Sequence, residues 1–596
     1  MYKIISAIQI LLFLVHGFKL TSQSCPIGSI TLDKQSVIDS FVIKYPDCSE
    51  LNFPIRIFGS GINNLSGLRN LRRINSNLVL ENLPDLASLA GLDSVLILNS
   101  LRINNVPELV SLSALSKVKE IDFVRIENNL RLQGFDGIDL KSKDIFIHNN
   151  ASLYEINGIH TPDTATNIRI TSNPRLNWIR NFENLKVLTG TLNLSDNQAV
   201  RHLDNFNYLV RINGSLIIED IDSTEYLPDF DSLQYVGTDI RISGNNTGSF
   251  INKTKNIPLF PNLIYVGREI KLRLLINSEV GEYSGFNNLE SVRDITFNLN
   301  ACTHLSAFNK LTDVPGRINI DGHYNMYDIN GFKNLQTAGE IYVKANVELA
   351  KFTGFSKLKR VEKDITLQSA SINLESFEGL AQLEYVGKGF KLNLNRNLKS
   401  LGLKNLKYVG GDFWLQDSDR LKNLDELFTL TTVLGELYVF HNDHLEDITG
   451  LSNIDYSGVT TIDFRAHPRT TFCAIKLFCD YLTEKPDSPF KVGGNGTGCN
   501  TREEILEQCR LVSTTDMHES EDIVIFPNPA ATEIYIKVAS GSNVRDIRVY
   551  NLSGQLIHYD RVQNGRLDIS RLSSGVYIAG IQTDEGNVVQ KKLVVL

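Results

Sequence analysis

A short apolar alternation, a polar turn and a run of apolar residues spaced about three apart recur down most of this 596-residue chain. Residues 341–361 show the unit. Ile341-Tyr342-Val343 alternate, a turn surrounds Asn346, Leu349, Phe352, Phe355 and Leu358 follow, and Val361 closes it. Such trios start at Ile55, Leu78, Leu101, Val124, Ile145, Ile168, Leu192, Leu216, Ile240, Ile270, Ile295, Ile318, Ile341, Ile365, Phe390, Phe413, Leu437 and Ile462. Their mean spacing is about 24 residues, a repeat period rather than a domain size. The longer step from Ile240 to Ile270 predicts a side loop over residues 245–258.

The pattern dictates a coil. In each trio the first and third side chains point one way and the second the other. The inward pair meets its equivalents on the next rung, which builds a parallel sheet, and the later apolar residues close the remaining sides. One unit offers five or six inward side chains worth about 1.5–3 kcal/mol each. Ordering its two dozen residues costs about 1–2 kcal/mol apiece, so no unit folds alone and stacking is obligatory. The predicted fold is mainly β: a right-handed parallel β-solenoid of about eighteen rungs over residues 53–468. Asn or Asp recurs four or five places after the trio start, as at Asn82, Asn105, Asn128, Asn149, Asn173, Asp196, Asn300, Asn346, Asn395, Asp417 and Asn442. Their short side chains can bond the turning backbone, so they read as a structural ladder rather than as cation ligands.

The second residue of each trio faces out. That row runs Arg56, Val79, Arg102, Arg125, Phe146, Arg169, Asn193, Ile217, Arg241, Lys271, Thr296, Asn319, Tyr342, Thr366, Lys391, Trp414 and Tyr438, with Asp463 a less secure last member. Seven are basic in a chain of formal net charge −8. Glu81, Glu127, Glu219 and Asp321 occupy the next outward row, close enough for Arg102 and Arg125 to pair with Glu81 and Glu127. Arg102, Arg125, Arg169 and Arg241 are candidate contacts for anionic groups. Tyr342, Trp414 and Tyr438 offer flat rings to sugars or aromatic side chains.

The ends differ from the middle. Lys3, an apolar run over residues 4–15 and a polar stretch over residues 21–24 make a secretory signal, residues 1–22, too short to span a bilayer. Six of the seven cysteines flank the repeats, as expected of disulfide-stapled caps in an exported protein. Cys25 and Cys48 bracket a helix expected from Asp33, its cap, to about Tyr45, with Val37, Ile38, Phe41, Val42 and Tyr45 on one face. This is the N-terminal cap, residues 25–52. Residues 469–510 form the second cap, with two helices; Thr501 and Glu504 spell a capping box. Cys473 and Cys479 point to different sides of one helix and pair elsewhere; Cys473–Cys499 with Cys479–Cys509 is the expectation, the other connectivities staying open. Cys302 is expected to be a buried thiol. Residues 511–522 read as a linker. Short alternating strands over residues 523–596 then predict a small antiparallel β-sandwich.

Catalytic and metal constellations are not evident. His441 and His444 lack a third ligand, Asp220, Asp222 and Glu225 lack the EF-hand loop, and residues 493–498, though Gly-rich, lack the P-loop Lys. No cofactor or metal is expected, and the net negative charge disfavours nucleic acid.

Two resemblances follow from these residues. Ile329-Asn330-Gly331-Phe332-Lys333-Asn334-Leu335 and Phe377-Glu378-Gly379-Leu380-Ala381-Gln382-Leu383 resemble the receptor L-domain repeat, a leucine-rich-type unit of surface proteins, and the two cysteine-bearing caps look similar to those of its bacterial relatives. The tail resembles the C-terminal sorting domain of the type IX secretion system of Bacteroidota. The matching pieces are Phe526-Pro527-Asn528-Pro529, Val549-Tyr550-Asn551-Leu552-Ser553-Gly554, Leu572-Ser573-Ser574-Gly575-Val576-Tyr577 and Lys591-Lys592-Leu593-Val594. The resemblance implies engagement of that machinery, passage through the periplasm and outer membrane, removal of the tail, and release or attachment at the cell surface. The expected function is non-catalytic recognition or adhesion toward an extracellular glycan or protein. A β-helix polysaccharide-processing enzyme and a passive surface coat are the alternatives.

Overall fold

The computed structural model describes residues 24–201, 203, 205–220, 227–228, 230–244, 259–274, 281–299, 302–368, 371, 373–516, 523–538, 543–551, 556–560, 565–583 and 588–595. The signal segment, the 245–258 loop, Asp222, Glu225 and Asn300 lie outside them. The chain divides into two compact units, residues 1–418 and 419–596.

In the first unit all sixteen trios from Ile55 to Phe413 fall on parallel strands of one sheet, each trio start in register with the next. Burial alternates as the pleat requires: Ile365 and Leu367 are buried, while Thr366 between them is partly exposed. Two-residue strands close other sides of the coil, among them Thr164–Ala165, Val187–Leu188, Arg211–Ile212, Tyr235–Val236 and Tyr265–Val266, which form a second parallel sheet.

The turn after the trio contains two rows, which the sequence pattern had merged into one. Four residues past the start, the backbone is left-handed at Asn82, Asn105, Asn128, Asn149, Asp196 and Asp417. Asn and Asp tolerate that region better than most residues. One place further lies a buried asparagine ladder: Asn129, Asn150, Asn173 and Asn197 are fully enclosed. Asn150 Oδ1 accepts the Asn129 amide N–H at 3.2 Å, and Asn173 Oδ1 accepts that of Asn150 at 3.0 Å. The side-chain amide of Asn173 donates back to the carbonyls of Thr171 (3.0 Å) and Ile147 (3.3 Å). Thus each side chain satisfies both its own turn and the rung before it, as buried polar groups must be.

A column of stacked phenylalanines fills the core further round. Phe230, Phe260, Phe286, Phe308, Phe332 and Phe355 stand with neighbouring centroids between 4.7 and 5.3 Å apart. Phe286, Phe308, Phe332 and Phe355 hold φ between 55° and 65°, a costly region for an aromatic residue. Burial and stacking of the rings offset that cost. Cys302 lies in the strand Cys302–Leu305 as a free, fully buried thiol, and burial pushes its pKa up to about 12.

The N-terminal cap departs from expectation in two ways. Ile30–Leu32 pairs in parallel with Ile55, Arg56 and Ile57, so the cap supplies a rung of its own. Its helix spans Gln35–Lys44 with Lys34 rather than Asp33 at the N-cap position, and no side chain caps it. Instead, Gln35 Oε1 accepts the backbone N–H of Asn63 at 3.0 Å and ties the helix to the first coil. Ile38 and Phe41 are buried, whereas Val37 is 37% exposed, so the apolar face is narrower than predicted. Cys25 is bonded to Cys48.

The second unit opens with two trios of the same kind, and Leu437 pairs in register with Ile462. Phe490–Gly493 adds a further parallel strand, with Phe490 beside Ile462. Helices span Lys476–Glu484 and Arg502–Asp516; the first starts three residues later than expected, so Cys473 precedes it and only Cys479 lies on it, while the disulfides join Cys473 to Cys499 and Cys479 to Cys509 as expected. Thr501 Oγ1 accepts the Glu504 N–H at 3.1 Å, one half of the capping box. The Glu504 carboxylate reaches past Thr501 to the N–H groups of Asn500 (2.9 Å) and Gly498 (3.1 Å). The helix runs to Asp516, into the stretch read as linker, because extending a nucleated helix costs far less than starting one.

The tail forms two antiparallel sheets. Ile523–Phe526, Glu533–Val538 and Arg566–Asp568 make one; Val544–Tyr550, Leu556–Asp560, Gly575–Thr583 and Val588–Val595 make the other. Ile534, Ile547, Val549, Leu567, Ala579, Ile581 and Leu593 belong to their shared core.

Candidate functional site

The outward row of the first unit is continuous, because the register that stacks the trio starts also stacks their second residues. Arg102 lies beside Arg125, Arg125 beside Phe146, and Arg169 beside Phe146 and Asn193. Most of its basic charge is neutralised. Arg56 pairs with Glu81, and Glu127 receives both Arg102 (3.3 Å) and Arg125 (2.8 Å). Glu81 therefore serves Arg56 and not Arg102, because Arg56 and Arg102 each reach toward the rung that follows, whereas Arg125 pairs with Glu127 on its own strand. Arg125 also covers the Phe146 ring at 4.3 Å.

Arg241 meets Asp239 at 3.2 Å, and Arg268 adds a second contact to the same carboxylate at 2.6 Å. Burial acts to raise the Asp239 pKa, but the Arg268 hydrogen bond and the two guanidinium charges outweigh it and hold the group below its usual value. Arg169 and Lys271 form no ion pair among the described residues, so the anion-attracting row is sparser than the sequence suggests.

Toward its end the row becomes aromatic. Tyr342, Thr366, Lys391 and Trp414 occupy successive rungs. The two rings are therefore about 14 Å apart, three strand spacings. Lys391 Nζ lies 4.6 Å from the Trp414 ring centroid. Tyr342 and Trp414 are half-buried.

In the second unit Tyr438 stands beside Asp463, its ring 5.7 Å from that of Phe440. Asp463 keeps its place in the outward register but is only 1% exposed, covered by two bonds from Arg465 (2.6 and 2.7 Å) and by Lys491 at 3.5 Å. It is a structural acid rather than a surface one.

The Gly-rich loop serves the buried framework here. Asn495 Oδ1 accepts the His467 N–H at 2.9 Å, and the Asn495 amide donates to the Phe464 and Cys499 carbonyls, which extends the buried polar ladder into the cap. His441 occupies the left-handed turn position with φ 53°. Among the described residues no three His, Cys, Asp or Glu side chains are grouped to hold a metal.

The tail gathers motifs that lie far apart in sequence. Asn528 Oδ1 accepts the Val594 N–H at 2.8 Å, and its amide donates to the Lys592 carbonyl at 2.7 Å. Pro527-Asn528-Pro529 is thereby fastened to the final strand. That strand pairs Lys592 with Ile578, Lys591 with Ala579 and Val595 with Gly575. The Tyr577 hydroxyl donates to the Ser573 carbonyl at 2.8 Å, fixing the turn before its strand.

Comparison with known proteins agrees with this tail. Residues 524–596 match the secretion system C-terminal sorting domain family. The chain is also 27% identical over 172 residues to sporulation-specific protein 22 of Saccharomyces cerevisiae, a stretch covering 29% of this chain and 35% of that protein. A solved leucine-rich-repeat (LRR) protein of Leptospira interrogans aligns over 67% of this chain and 91% of its own, at 14% identity and a TM-score of 0.20. Such a score carries no weight for the architecture, which stands on the chain's own strand register. The sorting domain places the protein among those exported by the type IX secretion system to the medium or the cell surface.

Proposed function

We propose that this exported solenoid is a non-catalytic recognition or adhesion protein whose outward sheet face engages an extracellular glycan or glycoprotein. One observation carries the reading: Tyr342 and Trp414 stand on one in-register face with Lys391 between them. Two flat rings and a lysine that forms no ion pair among the described residues suit a sugar chain bearing an anionic group, and the about 14 Å between the rings suits contact with more than one sugar unit. Salt-bridged carboxylates support binding over catalysis, because Glu127, Asp239 and Asp463 are held by arginines and are poorly placed as general acids. Engagement of the secretion machinery through the tail, its removal after export and either release or attachment at the cell surface complete the proposal.

The test is a glycan and glycoprotein array probed with the mature chain, followed by Trp414→Ala and Tyr342→Ala. Each loss of a ring is expected to weaken binding by about 1–2 kcal/mol, with Trp414→Ala the largest effect. An array without any bound ligand, or equal binding by the Trp414 and Tyr342 variants, refutes the reading. Cleavage of a bound polymer points to the enzyme instead.

A further inference from the structure

Away from the sheet face, on the side of the coil, three successive turns leave a cleft of about 360 Å³. Ten residues after the trio start, the three rungs carry Gly134, Glu155 and Trp178. Glu155 and Trp178 are neighbours in a short parallel sheet. Gly134 has no side chain to fill the same place, and that omission opens the cleft.

Its walls come from flanking positions on the same turns. Gln133, Tyr154 and Asn177 lie in one column: Tyr154 N–H donates to the Gln133 carbonyl at 2.8 Å, and Asn177 N–H to the Tyr154 carbonyl at 2.8 Å. Tyr154 is 51% exposed although its backbone is part of the coil. Its hydroxyl accepts the Asn177 side-chain amide at 3.0 Å, which leaves the hydroxyl proton to donate outward. Asp136 accepts the Asn157 amide on Oδ1 at 2.6 Å, which fixes the carboxylate and leaves Oδ2 open.

We propose that this cleft binds a neutral hexose unit of a glycan. A sugar ring offers an apolar face and a rim of hydroxyls that both donate and accept. The cleft matches this with the Tyr154 ring and hydroxyl, the Asp136 carboxylate and Arg175, which forms no ion pair among the described residues. Glu155 is already paired with Arg180 at 3.4 Å, and that guanidinium lies 4.5 Å from the Trp178 ring. Arg180 thus neutralises Glu155, and the lining keeps one further acid, Asp136, and one further base, Arg175, so the formal charge balances. This disfavours polyanions and metal cations alike. The volume is near the lower end of small-ligand sites, roughly 300–1,000 Å³, which suits a short saccharide.

Gly134 provides the decisive test. A Cβ built there meets only the Glu155 carbonyl oxygen at 3.6 Å and Asp136 Oδ2 at 3.7 Å, ordinary contacts. Gly134→Ala is therefore a folded control, and Gly134→Trp fills the cleft. The full chain is titrated by calorimetry and saturation-transfer NMR with cellohexaose, laminarihexaose and mannohexaose, and with a polygalacturonate hexamer as the acidic comparison. Binding of at least one neutral hexamer is expected, retained by Gly134→Ala and by Trp414→Ala. Tyr154→Ala should weaken it about tenfold or more, and Gly134→Trp should abolish it. Three results overturn the proposal: no neutral hexamer binds, the acidic hexamer binds the Trp414→Ala chain more tightly than all of them, or Gly134→Trp binds as the wild type does. Loss of binding in Trp414→Ala assigns the sugar to the sheet face instead, and overturns it as well.

Discussion

His467 occupies the ladder place that asparagine holds on other rungs, five residues after its trio start at Ile462. Its Nε2 lies 3.0 Å from the Val439 carbonyl oxygen and its Nδ1 3.3 Å from the Asn442 N–H nitrogen, an arrangement the neutral ring satisfies with one donor and one acceptor. Burial drives its pKa down from 6.5 to about 4. A folded value below the unfolded one gives stability that is fully present above about pH 6.5 and lost as pH falls toward about 4. The shift amounts to roughly 3 kcal/mol at the acidic end. Urea unfolding of the cap region at pH 7 and pH 4 should show that loss, and His467→Asn should flatten this part of the pH dependence. An unchanged slope refutes the role. The two turn rows make a paired prediction. Asn173→Ala orphans the Asn150 N–H and should cost roughly 2–4 kcal/mol, whereas Asn149→Gly, at a left-handed position, should be nearly neutral. Hydrogen exchange around residues 126–175 checks both. The sequence showed that turn asparagines mattered but not that two rows were interleaved. Asn occurs in both, and only burial separates Asn149 from Asn150.

At the scale of elements, the trios were legible because a period-two alternation repeated at constant spacing admits one register. Ile30–Leu32 and Phe490–Gly493 were not, since each is a single rung without a following apolar series to identify it. The glycine in place of a side chain at Gly134 was equally hidden: its meaning depends on Glu155 and Trp178, which are neighbours only after the coil is wound. The phenylalanine column was legible as apolar positions but not as stacked rings. In the tail the strands were readable, but the bond from Asn528 to the last strand was not, because it joins residues 66 apart. It carries its own prediction. Asn528→Ala removes the acceptor for Val594 N–H and the donor to Lys592, and should lower tail stability by about 1–3 kcal/mol. Asn528→Asp keeps the acceptor and should recover part of it. Denaturation followed by tail-specific amide exchange decides between them.

For the whole molecule, the sorting domain and the proposed recognition surface lie in different parts of the chain, and the physical basis differs in each. The repeats win their stability by stacking, rung on rung, with buried trios, the asparagine ladder and the phenylalanine column all running the same way. The tail has a separate core of Ile534, Ile547, Val549, Ala579 and Leu593 between its two antiparallel sheets. A chain ending after Asp516 therefore keeps every strand pairing of the repeats and both cap disulfides. Expressed in a bacterium with a type IX system, this shortened chain should fold, retaining the far-ultraviolet β spectrum and disulfide content of the repeats. It should nevertheless be missing from the medium and from surface-labelled protein, while the full chain reaches one or the other. Export of the shortened chain at the full-length level would show that the sorting domain is dispensable and would shift the address to the repeats. Failure of the shortened chain to fold, with the sorting domain supplied as a separate chain restoring it, would show that the tail also supports the caps.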